Sequence, residues 1–276
     1  MCIRDRNEEK NEWKPERYHE YGYFPGCVDF MDVEVKFTHL NKGDADHASI
    51  AAASIKLLNY ADIDPLILDM NVFKCSGHDQ LWQGNLEVFD ALKEHNMRRL
   101  KESGVKIITC SCAECYRTFA VDYDLPGKLG IKVEHITQTL QGRGLKFKAP
   151  ENVTVSYHDP CRLGRMMGEY EAPRDLIQLV DGATMVELEN NKERALCCGV
   201  SSMMYCNDAT KAVRRKRLDQ GTDAGIDIML GGCPKCYMHM QCMLNEERMN
   251  PEEGHHHDYE MMDLMQFLVA CLEDVK

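Results

Sequence analysis

The placement of cysteines constrains this chain more than any other feature. Between His158 and Cys236, five cysteines fall in three short clusters: His158-Asp159-Pro160-Cys161, Cys197-Cys198-Gly199 and Cys233-Pro234-Lys235-Cys236. Thirty-five residues separate Cys161 from Cys197, and 34 separate Cys198 from Cys233. A Cys-x-x-Cys pair brings two thiolates within reach of one metal centre, and adjacent cysteines add two more from one turn. Gly199 lets that turn take a backbone shape that a β-carbon forbids. Tetrahedral zinc takes four ligands, so five thiolates exceed its need. Iron–sulfur clusters are the usual reason for gathering so many. A four-cysteine zinc site with one spare thiol stands as the alternative.

The clusters recur. Cys197 lies 122 residues after Cys75, Cys233 lies 121 after Cys112, and Cys161 lies 134 after Cys27. The chain therefore reads as an internal repeat, with about a dozen extra residues in the first copy, expected within residues 29 to 47. The first copy opens on Tyr21-Gly-Tyr-Phe-Pro-Gly-Cys27. It continues with a helix over residues 47 to 60 (Ile50, Ala53 and Leu57 at helical spacing), a short strand Leu66-Ile-Leu68 and Cys75-Ser76-Gly77-His78. A helix from about Asn85 to Ser103 follows, with Leu86, Phe89, Leu92 and Leu100 on one face. The strand Lys106-Ile-Ile-Thr109 then runs into Cys110-Ser-Cys112-Ala-Glu-Cys115. The second copy has a strand Val153 to Tyr157, a helix from Pro173 to Val180, a strand Thr184 to Leu188, a helix Asp208 to Gln220 and a strand Ile226 to Leu230. A last helix carries Leu264, Phe267, Leu268 and Cys271, with Asp263 as its N-cap. Strands alternating with helices predict an α/β fold of two pseudo-symmetric units, each a small, mostly parallel sheet flanked by helices. Cysteines just after strands fit the rule that ligands collect at carboxyl ends of strands. The expected segments are 1–21, a polar tail or linker; 22–150, the first repeat, with Cys-Ser-Gly for Cys-Cys-Gly; and 151–276, the complete second repeat.

Composition narrows the function. At 276 residues there is room for one large domain or two ordinary ones. No apolar run approaches the roughly 18 to 20 residues that span a bilayer, and none near Met1 reads as a secretory signal. A cytoplasmic protein is expected, membrane-associated only through partner subunits. Fourteen cysteines in such a chain argue for free thiols rather than disulfides. The formal charge of −12 argues against nucleic acid. The basic run Arg214-Arg215-Lys216-Arg217 reads as a solvated helix face, or as a docking patch for an acidic electron-transfer partner.

The order Tyr157-His-Asp-Pro-Cys161, Cys197-Cys-Gly199, Cys233-Pro-x-Cys236 resembles the cysteine-rich CCG domain, from about Tyr23 to Glu273. That family includes the catalytic iron–sulfur subunit of heterodisulfide reductase (B/D type) and related iron–sulfur oxidoreductase subunits. The resemblance implies that Cys161, Cys197, Cys198, Cys233 and Cys236 hold a non-cubane [4Fe–4S] cluster. At that cluster electrons are relayed or a disulfide is cleaved, and the subunit is active only within a complex. It also implies a ferredoxin-type iron–sulfur subunit or fused domain as partner, a membrane cytochrome or flavin subunit, and a small-molecule thiol or disulfide. A second reading is an electron relay of an anaerobic lactate or glycerol-3-phosphate dehydrogenase-type system; a third is a zinc-stabilised, non-redox interaction module. No G-x-G-x-x-G follows a strand, so no nicotinamide site is expected.

The first cysteine set departs from the pattern, because Ser76 replaces the second Cys. The remaining Cys27, Cys75, Cys112 and Cys115 suit a cubane [4Fe–4S] cluster or tetrahedral zinc, with Cys110 as an alternative fifth ligand. Cys2, Cys206, Cys242 and Cys271 read as packing residues. His158, as a proton donor to a leaving thiolate, and His78 each stand three residues from a cysteine. Arg162 and Arg165 are candidates for a substrate carboxylate or phosphate. The triplet His255-His256-His257 reads as a solvated loop.

Overall fold

The computed structural model describes residues 4–7, 12–26, 28, 46–200, 207–253 and 257–273. Cys2, Cys27, Cys206, the pair His255-His256 and most of the expected insertion lie outside them. Strands β1 (Arg4–Asn7) and β2 (Glu12–Pro15) pair antiparallel, so the stretch read as a polar tail contains a hairpin. The body of the protein is two four-stranded sheets. The first contains β3 (Tyr21–Phe24), β4 (Leu66–Ile67), β5 (Ile107–Cys110) and β6 (Lys132–His135) in the order β4-β3-β5-β6. The second contains β7 (Phe147–His158), β8 (Val180–Met185), β9 (Ile228–Gly231) and β10 (Glu260–Asp263) in the order β8-β7-β9-β10. Every pairing in both sheets is parallel. Both copies thus follow the strand order 2-1-3-4, as the repeat predicts. Parallel sheets are covered on both faces, which is why β5 and β9 read as continuous apolar runs rather than alternating ones.

The helices of the first half are α1 (Ala48–Tyr60), α2 (His78–Trp82), α3 (Leu86–Ser103), α4 (Ala113–Arg117), α5 (Leu125–Leu129) and α6 (Ile136–Leu140); a π-helical turn (Thr118–Asp122) extends α4. Those of the second half are α7 (Gly164–Met167), α8 (Glu171–Gln178), α9 (Asp208–Asp223), α10 (Pro234–Met249) and α11 (Leu264–Ala270). Ile50, Ala53 and Leu57 face inward from α1 as expected, and Phe89 and Leu100 from α3, but Leu86 is 55% exposed at the start of α3. Helix α8 starts two residues before Pro173 and ends at Gln178, so β8 begins at Val180, earlier than the expected Thr184. Asp263 caps α11, accepting from Met265 N at 2.9 Å while Gln266 Oε1 accepts from Asp263 N at 3.2 Å. His135 and Gln138 repeat this capping box at the start of α6.

The two halves do not have separate cores. Leu57 and Leu58 of α1 pack with Leu264, Phe267 and Leu268 of α11 in one buried cluster. Ile136 and Leu140 of α6 lie in the same cluster as Leu176 and Ile177 of α8. The helix after the first strand of each half therefore packs on the helix after the fourth strand of the other, a pseudo-two-fold exchange. Burial of each such leucine or phenylalanine stabilises the fold by about 1.5–3 kcal/mol.

At the end of β7 a buried ion-pair network fixes the turn that leads to Cys161. Arg174 of α8 donates to Asp159 Oδ1 and Oδ2 at 2.8 and 3.0 Å, and to Glu187 Oε1 and Oε2 at 2.6 and 3.0 Å. Asp159 Oδ2 also accepts from Lys192 N at 2.9 Å. Removing one member of a buried pair strands the other charge. Arg174→Met is expected to lower the free energy of unfolding by about 3–5 kcal/mol in a urea titration.

Candidate metal centre

The cysteines of the second half converge from three elements at the carboxyl end of their sheet. Cys161 follows β7 through the Asp159-Pro160 turn. Cys233 follows β9 and is the N-cap residue of α10, which places Cys236 in the first turn of that helix. Cys197 and Cys198 precede α9. Gly199 has φ of +79°, and a Cβ there would lie 2.5 Å from Thr210 O and 3.1 Å from Arg214 Cβ. Only glycine lets the loop lie against α9. Cys198, Cys233 and Cys236 are buried, Cys161 and Cys197 half-buried. Their sulfurs share protons. Hydrogen bonds from Cys197 and Cys236 push the Cys198 thiol down, and Cys112 and Cys236 do the same for Cys233. Cys197 and Cys236 are pushed up in return.

Buried arginines surround this set. Arg214 and Arg217 of α9 are both 0% exposed. The basic run is therefore not a solvated face: two of its four cations point inward at i, i+3. Arg214 Nε donates to Cys198 O at 3.2 Å and its Nη2 to His239 Nδ1 at 3.2 Å. Arg217 donates to His158 Nδ1 at 3.0 Å, Asn190 O at 2.6 Å and Gln220 Oε1 at 3.0 Å. Among the described residues no carboxylate pairs with Arg217. A buried guanidinium without an anion is costly, and a set of thiolates or an anionic iron–sulfur cluster beside it supplies the missing charge. The donor set fits such a cluster in number, softness and charge.

In the first half, Cys75, Cys112 and Cys115 come together, and Ser76 Oγ lies 3.4 Å from Cys115 Sγ. Cys27 lies outside the described residues. Burial pushes the Cys75 thiol up to about 11. Cys110 is buried at the end of β5 beside Cys115, where Gly231 stands in the second half. Gly77 repeats the left-handed φ of Gly199, at +79°. Cys271 lies in an apolar cluster, as a packing residue.

The two sets adjoin, a contact that residue spacing does not signal. Cys112, the N-cap of α4, hydrogen-bonds Cys233, the N-cap of α10. Beside this contact Lys235 reaches from the second half into the first, 2.5 Å from Asp79 Oδ1 and 2.7 Å from Glu114 Oε2. The cleft against it is lined by Cys75, Cys112, Cys115, His78 and Lys235.

Other expectations change. Arg162 is buried, donates to His78 Nε2 at 3.3 Å and stacks 3.8 Å over Trp82. Arg165 donates to Ala195 O at 2.6 Å. Both are engaged within the fold rather than presented to a substrate. His257 is not solvated either: it is buried, with Nδ1 2.6 Å from Glu247 and Nε2 3.1 Å from Asp219.

The cysteine-rich CCG profile matches residues 21–120 and 155–241. The chain belongs to the CCG family. Among curated CCG relatives, it is 32% identical over 213 residues to a component of the dihydromethanophenazine:CoB–CoM heterodisulfide reductase of Methanosarcina barkeri, covering 73% of this chain and 52% of the relative. It is 29% identical to a probable iron–sulfur-binding oxidoreductase, FadF, of Bacillus subtilis, covering 74% and 30%. It is 27% identical to the EtfAB:quinone oxidoreductase of Syntrophomonas wolfei, covering 79% and 30%. The chain thus spans about half the length of the first relative and less of the others.

The glycine of the second CCG loop offers a direct check of this geometry. Gly199→Ala forces a β-carbon both into the left-handed region and onto Thr210 O. It is expected to cost about 1–3 kcal/mol in thermal unfolding, with loss of metal from the second site by elemental analysis. Ala at Gly104, which also has positive φ but no neighbour within 4 Å, is expected to leave metal content unchanged.

Proposed function

We propose that this CCG protein is the iron–sulfur redox subunit of a heterodisulfide reductase-like complex. The observation that carries the reading is the convergence of Cys161, Cys197, Cys198, Cys233 and Cys236 around buried guanidinium groups. The likeness to a heterodisulfide reductase component and to iron–sulfur oxidoreductases supports it. The cluster is a [4Fe–4S] of non-cubane type, held by these five cysteines. Cys75, Cys112, Cys115 and Cys27 hold a second [4Fe–4S] cluster or zinc. When bound, such clusters store and pass single electrons.

The chain's own residues seat the sulfurs, exclude water and place cations beside the charge that arrives on reduction. A disulfide substrate takes two electrons and two protons, its S–S bond breaks, and two thiols leave. The electrons come from a ferredoxin-type iron–sulfur subunit or fused domain, itself supplied by a cytochrome or flavin subunit. Any membrane attachment comes through such partners; among the described residues no helix is long and apolar enough to cross a membrane.

A second reading, a pure electron relay, is favoured by the likeness to a protein named as an EtfAB:quinone oxidoreductase. The two separate in one experiment. Anaerobically purified protein should contain iron and acid-labile sulfide, and dithionite-reduced protein should be reoxidised by CoB–CoM heterodisulfide. Reoxidation by a quinone alone would select the relay, and zinc without sulfide would remove both.

The unequal sets give a prediction. Cys198→Ser leaves the second site four thiols, as Ser76 leaves the first. It should keep iron but change its electron paramagnetic resonance and lose reoxidation by the disulfide. Ser76→Cys should change only the first site's spectrum. Wild-type spectra and wild-type reoxidation in Cys198→Ser would contradict the five-ligand assignment.

A further inference from the structure

The two histidines nearest the cysteines differ in the one proton each carries. A guanidinium has donors and no acceptor, so any imidazole nitrogen that meets one must be unprotonated. Arg217 Nε meets His158 Nδ1 at 3.0 Å. The neutral ring therefore carries its proton on Nε2. Arg217 cannot turn away, because Asn190 O, Gln220 Oε1 and Tyr157 O hold its other donors and Gln220 is itself tied to Asn190 Oδ1 at 2.6 Å. His158 is buried, with a ring nitrogen within 4.8 Å of the Cys198 and Cys236 sulfurs. A hydrogen bond from His158 is among the influences that lower the Cys198 thiol. With Nδ1 taken, Nε2–H is the donor.

At His78 the same device gives the opposite result. Arg162 Nε meets Nε2 at 3.3 Å, so the proton sits on Nδ1 and faces Thr118 Oγ1 at 3.0 Å. No N–H remains for a sulfur of the first set.

We propose that Arg217 is a positioning residue that fixes the His158 tautomer, so that its Nε2–H faces the Cys198 sulfur and raises the reduction potential of the second centre. The inference rests on the iron–sulfur reading above. A reduced cluster carries one more negative charge, and an N–H aimed at its sulfur stabilises that state. It also changes the expected role of His158. Giving up the only proton of a neutral ring would leave an anion, so His158 holds its proton and orients the sulfur.

The test is a redox titration of the second centre, followed by electron paramagnetic resonance in the anaerobic whole chain. His158→Gln keeps an N–H near the Nε2 position, whereas His158→Asn is too short to reach it. At fixed ambient potential, His158→Asn is expected to lower the reduced-to-oxidised ratio about tenfold, about 59 mV for one electron, and His158→Gln to restore most of it. Arg217→Gln frees the tautomer. It should lower the ratio in the wild-type background and by less than half as much in the His158→Asn background. Unshifted His158→Asn with intact cluster would overturn the proposal, as would equal Arg217→Gln effects in both backgrounds, since the arginine would then act by charge alone. Iron and sulfide are assayed in every sample. A wild type lacking both refutes the iron–sulfur reading and this inference with it, whereas a loaded wild type with unshifted variants refutes this inference only.

Discussion

The structure depends on a meeting of two thiols. Cys112 and Cys233 each cap a helix that follows the third strand of its sheet, and they hydrogen-bond one another. In a doubly wound sheet the space beyond the first and third strands is where ligands gather. Here the two such spaces, beyond β3 and β5 and beyond β7 and β9, open onto each other. The exchange of helices between halves follows from the same pseudo-two-fold: α1 lies on α11, and α6 on α8. Lys235 ties the junction electrostatically, since it belongs to one Cys-x-x-Cys loop and pairs with acids beside the other set.

Charge is the second organising constraint. A chain with a net charge of −12 nevertheless buries Arg214, Arg217, Arg174 and Lys235 around its cysteines. Arg174 and Lys235 have carboxylates against them. Arg217 has an imidazole and carbonyl groups instead. An interior cation without a matching acid indicates an anionic occupant, and soft thiolate donors narrow its chemistry. The halves differ in which imidazole nitrogen the arginine takes, a distinction invisible in residue type alone.

Much of this is legible in the sequence, and the rest is not for identifiable reasons. Cysteine spacing reveals the repeat, and the alternation of short apolar runs with helical stripes reveals both sheets. The fourth strands escape such a reading because β6 and β10 are four residues each and begin with a charge, Lys132 and Glu260. Helix α10 escapes it because it is buried on nearly every side, so Tyr237, His239, Gln241 and Asn245 leave no apolar stripe to read. The basic run reads as solvated because four cations in a row look alike until α9 turns Arg214 and Arg217 inward beside Leu218. The adjacency of the cysteine sets needs the tertiary fold, because Cys112 and Cys233 lie 121 residues apart.

The central claim is that two redox centres sit side by side across the Cys112–Cys233 contact. Electron paramagnetic resonance of the partly reduced whole chain tests it most directly. Two paramagnetic centres that close broaden or split each other's signals. The second centre's signal should therefore sharpen in Cys75→Ala or Cys115→Ala, which remove ligands from the first. A second-centre signal identical with and without the first set, at the same iron and sulfide content for the second site, would contradict the account.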